Sequence, residues 1–301
     1  MIRLTLIRFV TYCKGELIST EVRMMGIVNF SRTSLMILAR KGDESVPIIV
    51  ELLKHENLDL NAKDVYGNTA LIWASWRGRD EVVRILLKDD RVEVNSKGFY
   101  GSTALIWASW DGHEDVVRIL LKDDRVDIHA KDDDGNNALI LASEGGRQET
   151  VRILLKDGRV EVNAKDDDGD TALIRAIRCG REEVVDVLLK DDRVEVNAND
   201  YRSRSAFFWA NYCGSPNTIR MFLKHGRVAV NASGGALGNT ALMWACLRGQ
   251  ADIVSELLAF PMMDVHAKNK AAALDVAHEL QMLEIARLLE ARTESYTRRD
   301  R

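Results

Sequence analysis

The residues of this chain best placed to do chemistry are its aspartate runs, Asp132, Asp133 and Asp134 ahead of Gly135, and Asp166, Asp167 and Asp168 ahead of Gly169. Three adjacent carboxylates suggest calcium, but an EF-hand-like site spreads its ligands over about twelve positions and includes a bidentate glutamate, and that spacing is absent. Aspartate also serves turns, because its carboxylate accepts nearby backbone amides. Solvated turn aspartates are therefore expected. The functional version is an acidic strip, built by the two runs side by side, that steers a basic segment of a partner. The histidines are scattered, and no Gly-rich phosphate loop, His-Glu-x-x-His pair or Gly-x-Ser-x-Gly elbow occurs. Cys13, Cys179, Cys213 and Cys246 show no metal-ligand pairing. Catalysis, cofactors and metals are not expected.

The elements that position these aspartates recur. Thr69-Ala-Leu-Ile-Trp-Ala74 returns as Thr103-Ala-Leu-Ile-Trp-Ala108, and the alanine at Ala70, Ala104, Ala138, Ala172 and Ala206 keeps a 34-residue step, followed by Ala241 and Ala273. Self-similarity in this range means stacked supersecondary units. In the unit from Lys63 to Lys97, Asp64, Gly67 and Asn68 are turn formers and Thr69 suits an N-cap. A first helix of about two turns follows. Ala74 permits close approach by a neighbouring helix, and Gly78 ends the helix in a left-handed cap. Asp80 to Lys88 then reads as a second helix, with acids in its first turn and an apolar stripe of Val83, Leu86 and Leu87. Val92 and Val94 alternate with Arg91, Glu93 and Asn95 as an extended lead into the next turn.

These residues resemble the ankyrin repeat family. Its Gly-x-Thr-Pro-Leu-His-x-Ala signature is present as Gly67-Asn-Thr-Ala-Leu-Ile-Trp-Ala74, its Val-Val-x-Leu-Leu element within Val82 to Leu87, and its Asp-Val-Asn element as Glu93-Val94-Asn95. Alanine and isoleucine replace the family's proline and histidine, which puts that histidine's links between repeats in doubt. An extra residue at Asp89-Asp90 lengthens the usual period of about 33 residues. The resemblance implies an all-α solenoid of about eight helix-turn-helix repeats with short hairpin or turn fingers. It covers residues 30–291 as one elongated domain, between an N-terminal extension (1–29) and a polar tail (292–301) expected to fray. The extension reads best as capping or poorly ordered, with a processed leader, or initiation at Met24 or Met25, as alternatives. The last repeat lacks the helix-turn glycine and reads as a cap.

The resemblance also implies where a partner would bind, at the residues before the finger glycine and before the helix-turn glycine. Here these are Tyr66, Trp76, Arg77, Phe99, Tyr100, Trp110 and Asp111, then Asp133, Asp134, Asp167 and Asp168, then Tyr201, Arg202 and Tyr212. Tyr66, Trp76, Phe99, Tyr100 and Trp110 are expected to share one face, and aromatic side chains supply large contact area with few rotamers to freeze. The alternative for Trp76 and Trp110 is flat packing against the next repeat. Trp73, Trp107, Trp209 and Trp244 are expected to be buried packing. Cys179 and Cys213 should lie about 10 Å apart, too far for a disulfide without movement. His113 matches a capping residue of the family. Asn95, Asn163, Asn197 and Asn231 share a register that the family can present for hydroxylation, although a turn role is the stronger reading.

With 301 residues, 46% of them hydrophobic, 29% charged and only three prolines, the composition suits a folded, helix-rich protein. A net charge of −4 offers no broad field for nucleic acid, despite a basic spot at Arg202, Arg204, Arg220 and Lys224. No run of apolar residues is long enough to span a membrane. Few cysteines favour a reducing compartment, cytoplasmic or nuclear. The expected function is a non-catalytic, monomeric scaffold that binds another protein in a concave groove, through the aromatic patch on repeats two and three and the acidic fingers on repeats four and five. The alternative is a regulatory inhibitor that masks the active surface of an enzyme or transcription factor.

Overall fold

A capping side chain starts each first helix of the repeats from Thr69 to Thr240. The Thr69 hydroxyl accepts from Ile72 N (3.3 Å), and Thr103, Asn137, Thr171, Ser205 and Thr240 accept in the same way from the residue three further on. Each cap satisfies one of the amides that a helix start leaves without a partner. The turn to the second helix needs a left-handed residue, supplied for example by Gly112 at φ 79°. In the last repeat Gln281 stands in that place at φ 55°, and Met282 N still donates to Ala277 O as Arg79 N does to Ala74 O, both at 2.9 Å. The turn thus survives the loss of its glycine.

The computed structural model describes residues 34–234, 238–264 and 273–299, so the N-terminal extension 1–29 lies outside the described residues. Sixteen α-helices are found among them, and the fold is an all-α solenoid of ankyrin type. The chain divides into two compact units that meet in sequence at Val160 and Glu161. The first holds α1 (Ser34–Lys41), α2 (Val46–Leu53), α3 (Ala70–Trp76), α4 (Asp80–Leu87), α5 (Ala104–Asp111), α6 (Glu114–Leu121), α7 (Ala138–Glu144) and α8 (Gln148–Lys156). The second holds α9 (Ala172–Arg178), α10 (Glu182–Leu189), α11 (Ala206–Cys213), α12 (Pro216–His225), α13 (Ala241–Leu247), α14 (Ala251–Ala259), α15 (Ala273–Glu279) and α16 (Leu283–Arg299). Within each unit the odd-numbered helices pack on one another in one layer and the even-numbered helices in a second. The final helix runs on through most of the stretch assigned to the tail.

Small residues allow the close layer: Ala74, Ala108, Ala142, Ala176 and Ala210 are fully buried. Around them Leu71, Ile72, Val83 and Leu86 fill the first unit, and Ile174, Val185, Leu188 and Phe222 the second. The stripe of the second helix is rotated from the expected one, since Val82 is buried and Leu87 only half-buried. The 91–96 segment alternates in burial as its valines require but forms turns instead of a strand. Among the described residues the one strand pair is β1 (Ser233–Gly234) with β2 (Asn239–Thr240), antiparallel.

The extra residue of each repeat makes room for a clamp. Asp89 accepts from Arg91, Asp123 from Arg125, Asp157 from Arg159 and Asp191 from Arg193. These hydrogen bonds hold all four aspartates below the usual carboxylate range. Within the first unit the guanidinium also reaches the end of the preceding second helix: Arg125 Nη2 donates to Leu87 O (2.6 Å) and Arg159 Nη2 to Leu121 O (2.7 Å). Beside it an asparagine ties the same turns together. Asn95 Nδ2 donates to Arg125 O (2.8 Å) while its Oδ1 accepts from Asp127 N (2.7 Å). Asn61, Asn163, Asn197 and Asn231 make the same pair of bonds, so these amides have a structural use.

Candidate interaction surface

The first aspartate of each finger is spoken for. Asp132 Oδ1 accepts from Asp134 N and Asn136 N, and Asp166 Oδ1 from Asp168 N and Asp170 N, at 2.8–3.0 Å. Both side chains are buried, and Asp64 and Asp200 form the same turn. Asp133 and Asp134 are exposed in the first unit, and Asp167 and Asp168 are exposed in the second. Asp133 and Asp134 thus form an exposed acidic finger in the first unit, and Asp167 and Asp168 form one in the second.

In the first unit the fingers also carry an aromatic cluster. Tyr66 and Phe99 meet edge to face with centroids 5.2 Å apart, and Phe99 and Tyr100 lie at 3.9 Å. Tyr100, at φ 57°, is 47% exposed, while Tyr66 and Phe99 are half-buried. Asp133 N donates to Tyr100 O (2.9 Å), which places the acidic finger beside these rings.

On the first helices a second cluster forms. Trp76 stacks on Trp73 (5.0 Å) and on Trp107 (4.5 Å), giving a column of three indoles. Trp73 is 3% exposed and donates Nε1 to Asp64 Oδ2 (2.9 Å). Trp107 packs between repeats as expected but is half-buried and not fully buried, and so is Trp244 in the second unit. The aspartate that would receive the Trp107 indole is Gly98. A Cβ there would sit 2.2 Å from Asn68 Oδ1, which accepts from Phe99 N (3.0 Å). The Trp107 N–H is left without a hydrogen-bond partner among the described residues. The missing aspartate was legible in register with Asp64, Asp132, Asp166 and Asp200.

Packing and exposure are both true of Trp76. It is half-buried in the column and bonded to Asp111, the Arg77 guanidinium lies 5.6 Å from its ring, and its carbonyl meets His113 Nε2 at 2.9 Å. His113 thus ends the helix of the preceding repeat. Arg147 Nε does the same to Trp110 O (2.9 Å), with Trp110 half-buried. Asp111 is half-buried and its pKa is raised, by desolvation above all, against the lowering pull of His113, Arg147, Arg77 and the Trp76 hydrogen bond.

The second unit builds its face from different groups. Tyr212 stacks on Phe208 (6.0 Å) and meets Trp209 and Trp244 edge to face (5.5 and 6.2 Å), with the Arg248 guanidinium 4.7 Å from its ring. Tyr201 is 69% exposed, has Lys165 Nζ 5.8 Å from its ring, and stands beside exposed Arg202. Beneath lies a buried ionic network. Arg175 binds Asp166, Arg178 binds Asp170, and Asp200 accepts from Arg204 Nε (2.7 Å) and Trp209 Nε1 (3.2 Å). The Arg178 and Arg204 guanidiniums lie 4.6 and 4.3 Å from the Trp209 ring. Burial pushes Asp170 up from 3.8 to about 6, with Asp166 adding to the rise and Arg178 and Arg175 opposing it. Cys179 is half-buried and Cys213 exposed.

Paired helices, capped and turned alike in repeat after repeat, define a helical repeat protein with two differently furnished faces. The family model for ankyrin repeats (3 copies) matches residues 15–98, 124–200 and 207–300, and that for ankyrin repeats (many copies) matches 89–142. The chain belongs to the ankyrin repeat family, whose repeats are protein-protein interaction modules. No curated protein matches it. Among the described residues no helix is long and apolar enough to cross a membrane.

Proposed function

We propose that the protein is a non-catalytic binding scaffold whose first unit anchors apolar side chains of a partner protein and complements a basic residue beside them. The observation that carries this reading is the exposure of Tyr100, with Tyr66 and Phe99, next to Asp133 and Asp134. Aromatic rings beside carboxylates suit a segment that alternates apolar and basic residues, the rings supplying contact area and the acids register and encounter rate. The Trp76 and Trp107 edges and Trp110 extend the apolar area along the first helices. In the second unit Tyr201, Arg202 and Tyr212 offer aromatic rings with cations, while Asp167 and Asp168 form a separate acidic finger.

Partner capture from lysate by the full chain tests this against a Tyr100→Ala variant and a Trp76→Ala/Trp110→Ala pair. Loss of a partner that the wild type retains, with helicity by circular dichroism intact, is the expected result. Capture of the same partners at the same level by folded variants would remove the first-unit aromatics from the binding surface.

A further inference from the structure

The first repeat leaves open a position that later repeats bury. Arg91 Nη2 donates to Leu53 O as Arg125 Nη2 does to Leu87 O, so Ile48 on α2 stands in the register of Val82 on α4. Ile48 is 54% exposed. Val82, Val116 and Ile253 in that register are buried, and so is Ile285, which follows Met282 by three residues as Val82 follows Arg79. Ile48 has its own α1 and a following repeat, whereas Ile285, on the last helix described, has its own α15 and a preceding repeat. The cover of this position therefore comes from the repeat before.

The first helices repeat the pattern. Trp107 packs on Trp76, Trp209 against the Arg178 guanidinium and Trp244 against Tyr212, so this position meets the residue two before the helix-turn glycine of the preceding repeat. Arg40 meets Trp73 in the same way, at 5.7 Å. Ile37 precedes Gly42 by five residues as Trp73 precedes Gly78; it has no described repeat ahead of it and is 46% exposed. Ile37 and Ile48 thus mark one uncovered apolar end, on the two helices of a single repeat.

We propose that residues 1–33 supply a partial repeat ahead of α1, whose apolar side chains, Leu17 and Ile18 among them, cover Ile37 and Ile48. The segment leads directly into α1 and is one residue shorter than the 34-residue period. The match to the ankyrin repeat family already opens at residue 15, and Leu17-Ile18 stands 35 residues before Leu52-Leu53, the pair that closes α2. A segment tethered beside its own face also acts at high effective concentration, which favours it over a second copy of the chain. Initiation at Met24 or Met25 would remove Leu17 and Ile18 and leave the end open. The face is separate from the proposed partner surface, whose Tyr66, Phe99 and Tyr100 lie in later repeats.

The test is methyl NMR of the full chain with labelled isoleucine and leucine, together with Ile48→Asp in the full chain and in a chain that begins at Met25. Nuclear Overhauser contacts from the Ile37 and Ile48 methyls should reach Leu17 or Ile18 at every protein concentration. Ile48→Asp should lower the melting temperature of the full chain by about 5 °C or more, and that of the shorter chain by less than about 2 °C. An acid early in a helix is otherwise tolerated. Contacts from Ile48 to no residue of 1–33, an Ile48→Asp full chain that melts with the wild type, or a self-associating full chain that Ile48→Asp turns monomeric would each overturn the proposal. The contacts are read on the intact chain, so they decide the matter even where the shorter chain does not fold.

Discussion

The fourth residue of the odd-numbered helices is tryptophan at Trp73 and Trp107 in the first unit, and arginine then tryptophan at Arg175 and Trp209 in the second. Beneath that residue sits the turn aspartate, or its replacement. Asp64 receives the Trp73 indole, Gly98 leaves the Trp107 indole unpartnered, Asp166 receives Arg175, and Asp200 receives both Arg204 and Trp209. At these positions the first unit relies on stacked rings, while the second adds buried ion pairs to its own ring contacts, on the same backbone. Stacking adds attraction roughly in proportion to area, whereas a buried charge that loses its partner carries its full desolvation cost.

The comparison is broken most severely at Asp200. Asp200→Ala strips the acceptor from two backbone amides, from Arg204 and from the Trp209 indole at once, and should cost about 3–5 kcal/mol in urea unfolding. A loss under about 1 kcal/mol would mean that the network is not what holds this face. Trp76→Ala removes the middle ring of the first unit's column, and half burial reduces the usual penalty to about 2 kcal/mol. Its tryptophan fluorescence should also change, because Trp73 and Trp107 lose their shared neighbour.

The smallest effect separates the two chemistries by pH. Asp170 is raised in the folded state to about 6, so its contribution favours folding fully below pH ~4 and is lost as pH rises through about 6. Going from pH 7 to 5 should therefore stabilise the wild type through this group, and Asp170→Asn should reduce that gain by about 1–2 kcal/mol. The clamp aspartates have the opposite sign. Their pKa values are depressed, so their stabilisation is present above the usual carboxylate range and fails only in stronger acid. Chemical denaturation at pH 7, 5 and 3 resolves the two windows, and an unchanged profile in Asp170→Asn would assign the pH 5–7 response to another group.

Much of the repeat was readable in advance because its determinants are local. Thr69, Gly78 and the acids of Asp80-Glu81 act within one helix turn, and all three take their expected places. The recurrent Asp-x-Arg of the clamp stood in plain view, but its use did not, because Arg125 reaches a carbonyl 38 residues away. Trp107 is less buried than its motif suggests. The acceptor its indole lacks is displaced by Gly98, which lies against Asn68 of the preceding repeat, and no single motif contains them all.

Sequence by itself determined the period, the helix pairs and the turn geometry, since capping, left-handed turns and apolar spacing are read over a few neighbouring residues. Only the tertiary structure decided which rings stay partly open, where the chain divides into units, and which carbonyls the clamp arginines reach, because burial and carbonyl geometry arise when one repeat is laid against the next.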